Sequence, residues 1–153
     1  MGTLFLVATP IGNLGDMTPR AIETLRSVAL IAAEDTRHSG RPLRAFGIET
    51  PMISYHHHNR RQREERLLAA LAEGDVALIT DAGTPGIADP GRELVEAARA
   101  AGHRIVPVSG ASSLAAALSA SGLVDGPFVF LGFLERAGEQ RRRQLGKAAA
   151  TGW

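Results

Sequence analysis

The sequence predicts an α/β fold, a mainly parallel sheet with helices on both faces. Short apolar runs alternate with amphipathic stretches of helical period, each long enough to carry the chain from one parallel strand to the next. Glycine- and proline-rich loops follow four of these runs, where an open parallel sheet places its carboxyl edge. The composition of the 153 residues, 44% apolar and 22% charged, is that of an ordinary globular chain and excludes a disordered or collagen-like one.

The elements follow in order. Residues 4–8 read as the first strand. Thr18 and Pro19 mark a helix start, a capping hydroxyl before proline at the first helical position, and Ala21, Ile22, Leu25 and Val28 follow at helical spacing. Residues 28–33 predict a second strand, and residues 41–46 a short helix closed by Gly47. Asn59 reads as the cap of a helix to Glu73, with Leu67, Leu68 and Leu71 as its buried stripe and Gly74 as its stop. Residues 75–80 predict a strand. Asp89 and Pro90 repeat the cap-plus-proline start, for a helix that holds Leu94, Val95, Ala98 and Ala101 and ends at Gly102. Residues 104–108 predict a strand and residues 112–121 a small-residue helix stopped by Gly122. Residues 128–133 read as a further strand and residues 138–150 as a basic helix. The division expected is an N-terminal α/β domain over 1–123 and, over 124–153, the first strand and helix of a truncated second domain.

Several function classes are excluded. Without cysteine there is no disulfide, thiolate nucleophile or thiolate metal site, which fits a cytoplasmic protein. No apolar run approaches the roughly 18 residues of a membrane span, and the N-terminus lacks the basic lead-in of a secretory signal. A net charge of +1 argues against electrostatic nucleic-acid binding by the whole chain. The 17 basic residues include a single lysine, Lys147, and arginines cluster at Arg60, Arg61, Arg63 and Arg66 and again at Arg141, Arg142 and Arg143. These clusters read either as solvated helix faces or as phosphate contacts, since a guanidinium grips phosphate bidentately.

The strand-end loops are 9–16, 34–37, 81–91 and 109–113. Gly12, Gly15 and the Glu34–Asp35 pair have part of a dinucleotide fingerprint, but the glycine triplet is missing and the helix begins only at Thr18. A phosphate-binding P-loop is absent too. The third loop, Asp81-Ala82-Gly83-Thr84-Pro85-Gly86, exposes successive backbone amides and carbonyls beside small side chains. Such a wall suits a flat, polar ligand without phosphate, of which S-adenosylmethionine is one.

Three motifs, Thr9-Pro10-Ile11-Gly12-Asn13-Leu14-Gly15-Asp16, Ala33-Glu34-Asp35-Thr36-Arg37, and Asp81-Ala82-Gly83-Thr84-Pro85-Gly86 with Asp89-Pro90-Gly91, carry a resemblance. In this order they resemble the ribosomal RNA small-subunit methyltransferases of the tetrapyrrole methylase superfamily, over nearly the whole chain. The resemblance implies a two-domain, homodimeric enzyme that uses S-adenosylmethionine to methylate a cytidine ribose 2′-hydroxyl in 16S ribosomal RNA. It implies a chain nearly twice as long, so that these residues alone would have low or no activity. Its cofactor contacts fall by position on Pro10, Ala82, Gly83, Thr84, Ile87, Ser112 and Ser113. Two departures stand out. His56-His57-His58-Asn59 replaces the family's His-Glu-His-Asn, and Ser109-Gly110-Ala111-Ser112 replaces its Pro-Gly-Pro-Ser.

Methyl transfer from a sulfonium needs alignment, a base for the ribose proton, and no metal. Asp35, Asp81 and His58 are the candidate bases by location. Arg37 is expected to hold phosphate or to orient Asp35, although Asp35 and Asp81 could equally cap loops. Arg37, Arg60, Arg61 and Arg63 are the expected RNA contacts. Three consecutive histidines project in different directions and make a poor metal cage. Two rival functions remain: a methylase of a tetrapyrrole precursor, and a non-catalytic RNA-binding module.

Overall fold

The computed structural model describes residues 1–56 and 59–150, with Arg60 described in its backbone only. Residues 1–113 form one compact unit and the chain from Leu114 a second. Five strands, β1 (Thr3–Val7), β2 (Leu30–Ala33), β3 (Met52–Ser54), β4 (Val76–Ile79) and β5 (Arg104–Val108), make one sheet in the order β3-β2-β4-β1-β5. Every pairing in it is parallel. The helices between them are α1 (Pro19–Ser27), α2 (Thr36–Ala45), α3 (Arg60–Glu73) and α4 (Arg92–Ala100). No helix among the described residues is long and apolar enough to cross a membrane.

Strand alternation divides the core between two faces. Val7, Ile31, Ala33, Ala77 and Ile79 pack with Ala21 and Leu25 of α1 and Leu43 of α2. Leu4, Ala32, Val76 and Leu78 pack with Leu67 and Leu71 of α3 and Leu94 and Ala98 of α4. Both faces are covered, which is why β2 and β4 are buried at every position. The start of β1 is pressed against the turn after α3. Gly2 donates its N–H to Leu71 O at 2.7 Å, and a Cβ at Gly2 would lie 1.9 Å from the Gly74 carbonyl oxygen.

Thr18 caps α1 as its sequence predicts, its hydroxyl accepting the Ala21 N–H at 3.1 Å. Four expectations are corrected. First, α2 begins at Thr36 rather than at residue 41. Asp35 caps it, and Pro42 sits inside it and leaves the His38 carbonyl without its helical donor. Second, α4 begins at Arg92, after Gly91 with φ 135°, so Asp89 and Pro90 belong to the preceding loop. Third, Asn59 precedes α3 without capping it. Its side-chain oxygen accepts the His56 N–H at 2.9 Å and its amide donates to Ser54 O at 3.1 Å. Fourth, residues 128–133 are not a strand. No strand among the described residues pairs with them, and Phe128, Val129, Phe130, Leu131 and Phe133 are exposed.

β3 was not foreseen; three residues carry too little pattern to signal a strand. Beyond β5 lie α5 (Ser113–Ser121), which spans the boundary between the two units, and α6 (Gly138–Ala149). The α6 helix buries no residue, and Arg143 pairs with Glu139 at 2.7 Å along its surface.

Candidate functional site

β1 and β4 are neighbours whose crossovers leave on opposite faces of the sheet. Their carboxyl ends therefore open a crevice, the position where ligands enter such sheets. The loops around it are tied together by hydrogen bonds. Thr9 and Gly83 exchange backbone bonds, Thr9 N to Gly83 O at 2.9 Å and Gly83 N to Thr9 O at 3.0 Å. The Thr84 hydroxyl donates to Ala111 O at 3.3 Å, and Ala8 N donates to Val108 O at 3.1 Å. Gly83 has φ 86°, a conformation that disfavours any residue with a Cβ.

Pro10, Gly83, Thr84 and the segment before Ser112 thus stand on one edge. Ala82 and Ile87 are exposed there, Ser112 is half-buried, and Ser113 is exposed as the first residue of α5. Ile11 Cγ2 lies 3.6 Å from where a Gly83 Cβ would be, so Ile11 and Gly83 are immediate neighbours.

An acidic group lies beside this wall. Asp81 N donates to Glu34 Oε2 at 3.3 Å, and Asp35 N donates to Asp81 Oδ1 at 3.2 Å. Burial pushes the Glu34 carboxyl up, against the Asp81 N–H that pulls it down, and burial also raises Asp89. Asp35 is different. It accepts the Arg37 backbone N–H at 2.8 Å and its guanidinium at 3.3 Å, and these bonds hold its carboxyl below the usual range. Asp35 therefore has a clear structural task, capping α2, and Arg37 pairs with it. Asp81 faces His38 Nδ1 at 3.8 Å. Neither Glu34 nor His38 is among the sequence candidates. His38 becomes visible once α2 is started at Thr36, which puts it one turn from Asp35.

A cavity of about 180 Å³ opens next to this group, between α2 and the loop after β1. It shares Pro10 and Asp81 with the candidate site and does not include Ala82, Gly83 or Thr84.

Of the expected RNA contacts, Arg37 is exposed, Arg61 is exposed on the first turn of α3, and Arg63 is half-buried. The α3 helix follows β3, so its first turn lies at the same carboxyl edge. The Arg60 side chain and His58 lie outside the described residues.

The family profile of tetrapyrrole (corrin/porphyrin) methylases matches residues 3–152. The chain belongs to the tetrapyrrole methylase family. Among curated members it is 58% identical over 146 residues to the ribosomal RNA small subunit methyltransferase I of Synechocystis, covering 95% of this chain and 52% of that one. The Pseudomonas aeruginosa protein of the same name is 57% identical over 94% of this chain and 51% of its own. The chain thus spans about half the length of the curated relatives it matches. Among solved structures, the uroporphyrin-III-C-methyltransferase of Thermus thermophilus superposes with TM-score 0.60 at 26% identity, over 88% of this chain and 57% of that one. That structural likeness agrees with the five-stranded parallel sheet found here.

Proposed function

We propose that these residues are the cofactor-binding half of an S-adenosylmethionine-dependent enzyme that methylates a cytidine ribose 2′-hydroxyl in 16S ribosomal RNA. The observation that carries it is the pairing of Thr9 with Gly83 and of Thr84 with Ala111, which assembles the loop ends into one wall. High identity to proteins named as small-subunit methyltransferases, against 26% to a tetrapyrrole methylase, favours the RNA substrate. Ribosomal RNA places the enzyme in the cytoplasm. Residues 124–153 are read as the start of a second domain, and the working form as a homodimer.

The residues present fit the cofactor. Gly83 is buried with its N–H and C=O both bonded to Thr9, so it shapes the wall while exposed Ala82 beside it meets the cofactor, and exposed Ile87 and Ile11 offer apolar surface to a ring. When bound, the cofactor supplies an electrophilic methyl group. Pro10, Ala82, Gly83, Thr84, Ile87, Ser112 and Ser113 hold it and keep the attack in line. Asp81, which faces His38, receives the ribose proton, and Asp35, whose charge Arg37 favours, is kept as an alternative base. Arg37, Arg60, Arg61 and Arg63 contact RNA phosphates. His58 is kept as an alternative base.

The test is calorimetric titration of S-adenosylmethionine into the full-length protein and its Gly83→Val variant. Affinity is expected to fall at least tenfold in the variant, because valine disfavours the positive φ that shapes the wall. Equal affinity in both would remove this wall from the site. Methyl incorporation into small ribosomal subunits, and none into a corrinoid precursor, is the expected substrate result.

A further inference from the structure

We propose that the cavity between α2 and the loop after β1 is a pocket for one pyrimidine base turned out of RNA, with Ser39 hydrogen-bonding its edge. The proposal rests on the RNA reading above and adds the place and the size limit of base recognition.

Volume is the first argument. A cavity of about 150 Å³ is known to hold a single benzene ring. The present one, about 180 Å³, matches one six-membered heterocycle more closely than the fused rings of a purine. Its walls suit a base, with Pro10, Leu14, Pro42 and Phe46 presenting apolar surface to ring faces above the buried Met17 and Leu43. Its location is the second argument. Asp81 lines both the cavity and the acidic group, and residues 82–84 follow it directly. A base lodged here therefore leaves its ribose at Asp81, beside the wall assigned to the methyl donor.

Ser39 is the third argument. It belongs to the cavity lining, it is 5% exposed, and its Oγ is buried without a hydrogen-bond partner. A serine this deep in a helix ordinarily bonds back to the carbonyl four residues earlier. Here Asp35 O accepts the Ser39 backbone N–H and the hydroxyl does not join it. An unpaired buried hydroxyl costs the free protein stability, and a turn about the Ser39 Cα–Cβ bond would let a base edge in the cavity satisfy it. Enzymes that act on an extruded nucleotide read its base in such a pocket. Because a hydroxyl both donates and accepts, Ser39 alone does not separate cytosine from uracil. Cavity size favours pyrimidines over purines.

The test uses methyl-labelled methionine in the full-length protein. Only Met1, Met17 and Met52 occur in these residues, and of them only Met17 lines the cavity. Cytidine 5′-monophosphate is expected to shift the Met17 methyl resonance while Met1 and Met52 stay in place, and adenosine 5′-monophosphate is expected to leave Met17 unmoved. Ser39→Ala should weaken the cytidine nucleotide about 3- to 10-fold. It should also raise the melting temperature of the free protein, the opposite of what a structural serine would do. A Met17 signal that ignores cytidine monophosphate, or answers both nucleotides alike, overturns the proposal. So does Ser39→Ala with unchanged affinity or lowered stability. Failure here with intact S-adenosylmethionine binding removes the pocket alone. A responsive Met17 with no cofactor binding removes the methyltransferase reading and keeps the pocket.

Discussion

Glu34 and Asp35 are adjacent carboxylates with opposite surroundings. Glu34 is drawn inward and loses hydration, so its proton is held more tightly than in the unfolded chain. Asp35 stays at the surface, where the Arg37 amide and guanidinium favour its charge. The sign for Glu34 follows from linkage. A carboxyl raised in the folded state favours folding at low pH and opposes it once pH passes its raised pKa. Glu34→Gln keeps an acceptor for the Asp81 N–H and removes the charge. The variant should therefore be more stable than the parent at pH 7, with the gap closing as pH falls from the raised pKa toward the ordinary value of 4.5. Urea midpoints at several pH values measure it, and a gap that ignores pH would contradict the assignment. Gly2 has no comparable freedom. A methyl group there meets the Gly74 backbone, which has no rotamer to yield, so Gly2→Ala should cost about 2 kcal/mol of unfolding free energy.

At the scale of elements, legibility depended on whether a signal was local. Thr18 with Pro19 predicts α1 because cap and proline act on the backbone beside them. Thr18→Ala should lower stability by about 1 kcal/mol, read from a denaturation curve; no change would mean that water replaces the cap. The same signal at Asp89 and Pro90 failed, because positive φ at Gly91 turns the chain before α4 can start. Pro42 shows the opposite case. Burial of Ser39, Gly40 and Leu43 against the sheet holds α2 together across a residue that weakens helices. Starting α2 too late also hid His38 and Ser39, the two side chains that bring the acidic group and the cavity together. Residues 128–133 have the composition of a strand, but a strand exists only when a neighbour takes its hydrogen bonds, and composition does not supply one.

For the sheet as a whole, the fold class was legible and the strand order was not. Alternating elements announce a parallel sheet, but nothing local places β4 between β2 and β1, more than 70 residues from the start of the chain. The candidate loops were legible for the same reason as the class: every βα connection of a parallel sheet emerges at one edge. Which loops touch, Thr9 with Gly83 and Thr84 with Ala111, depends on that strand order and needed the structure. Leu78, 1% exposed at the centre of the α3–α4 face, supports this order from within. Leu78→Ala should cost 2–5 kcal/mol, roughly the range for large-to-small core changes, and a smaller loss would mean that the two helices close over the gap. The contact of Gly2 with the Leu71–Gly74 turn also fixes where β1 enters. Met1 projects into solvent at the amino edge, and five strand residues at about 3.3 Å each, roughly 17 Å, separate it from the crevice. A fluorophore or surface-immobilisation handle coupled ahead of Met1 would therefore leave the opposite rim clear for titrating nucleotides and methyl donors.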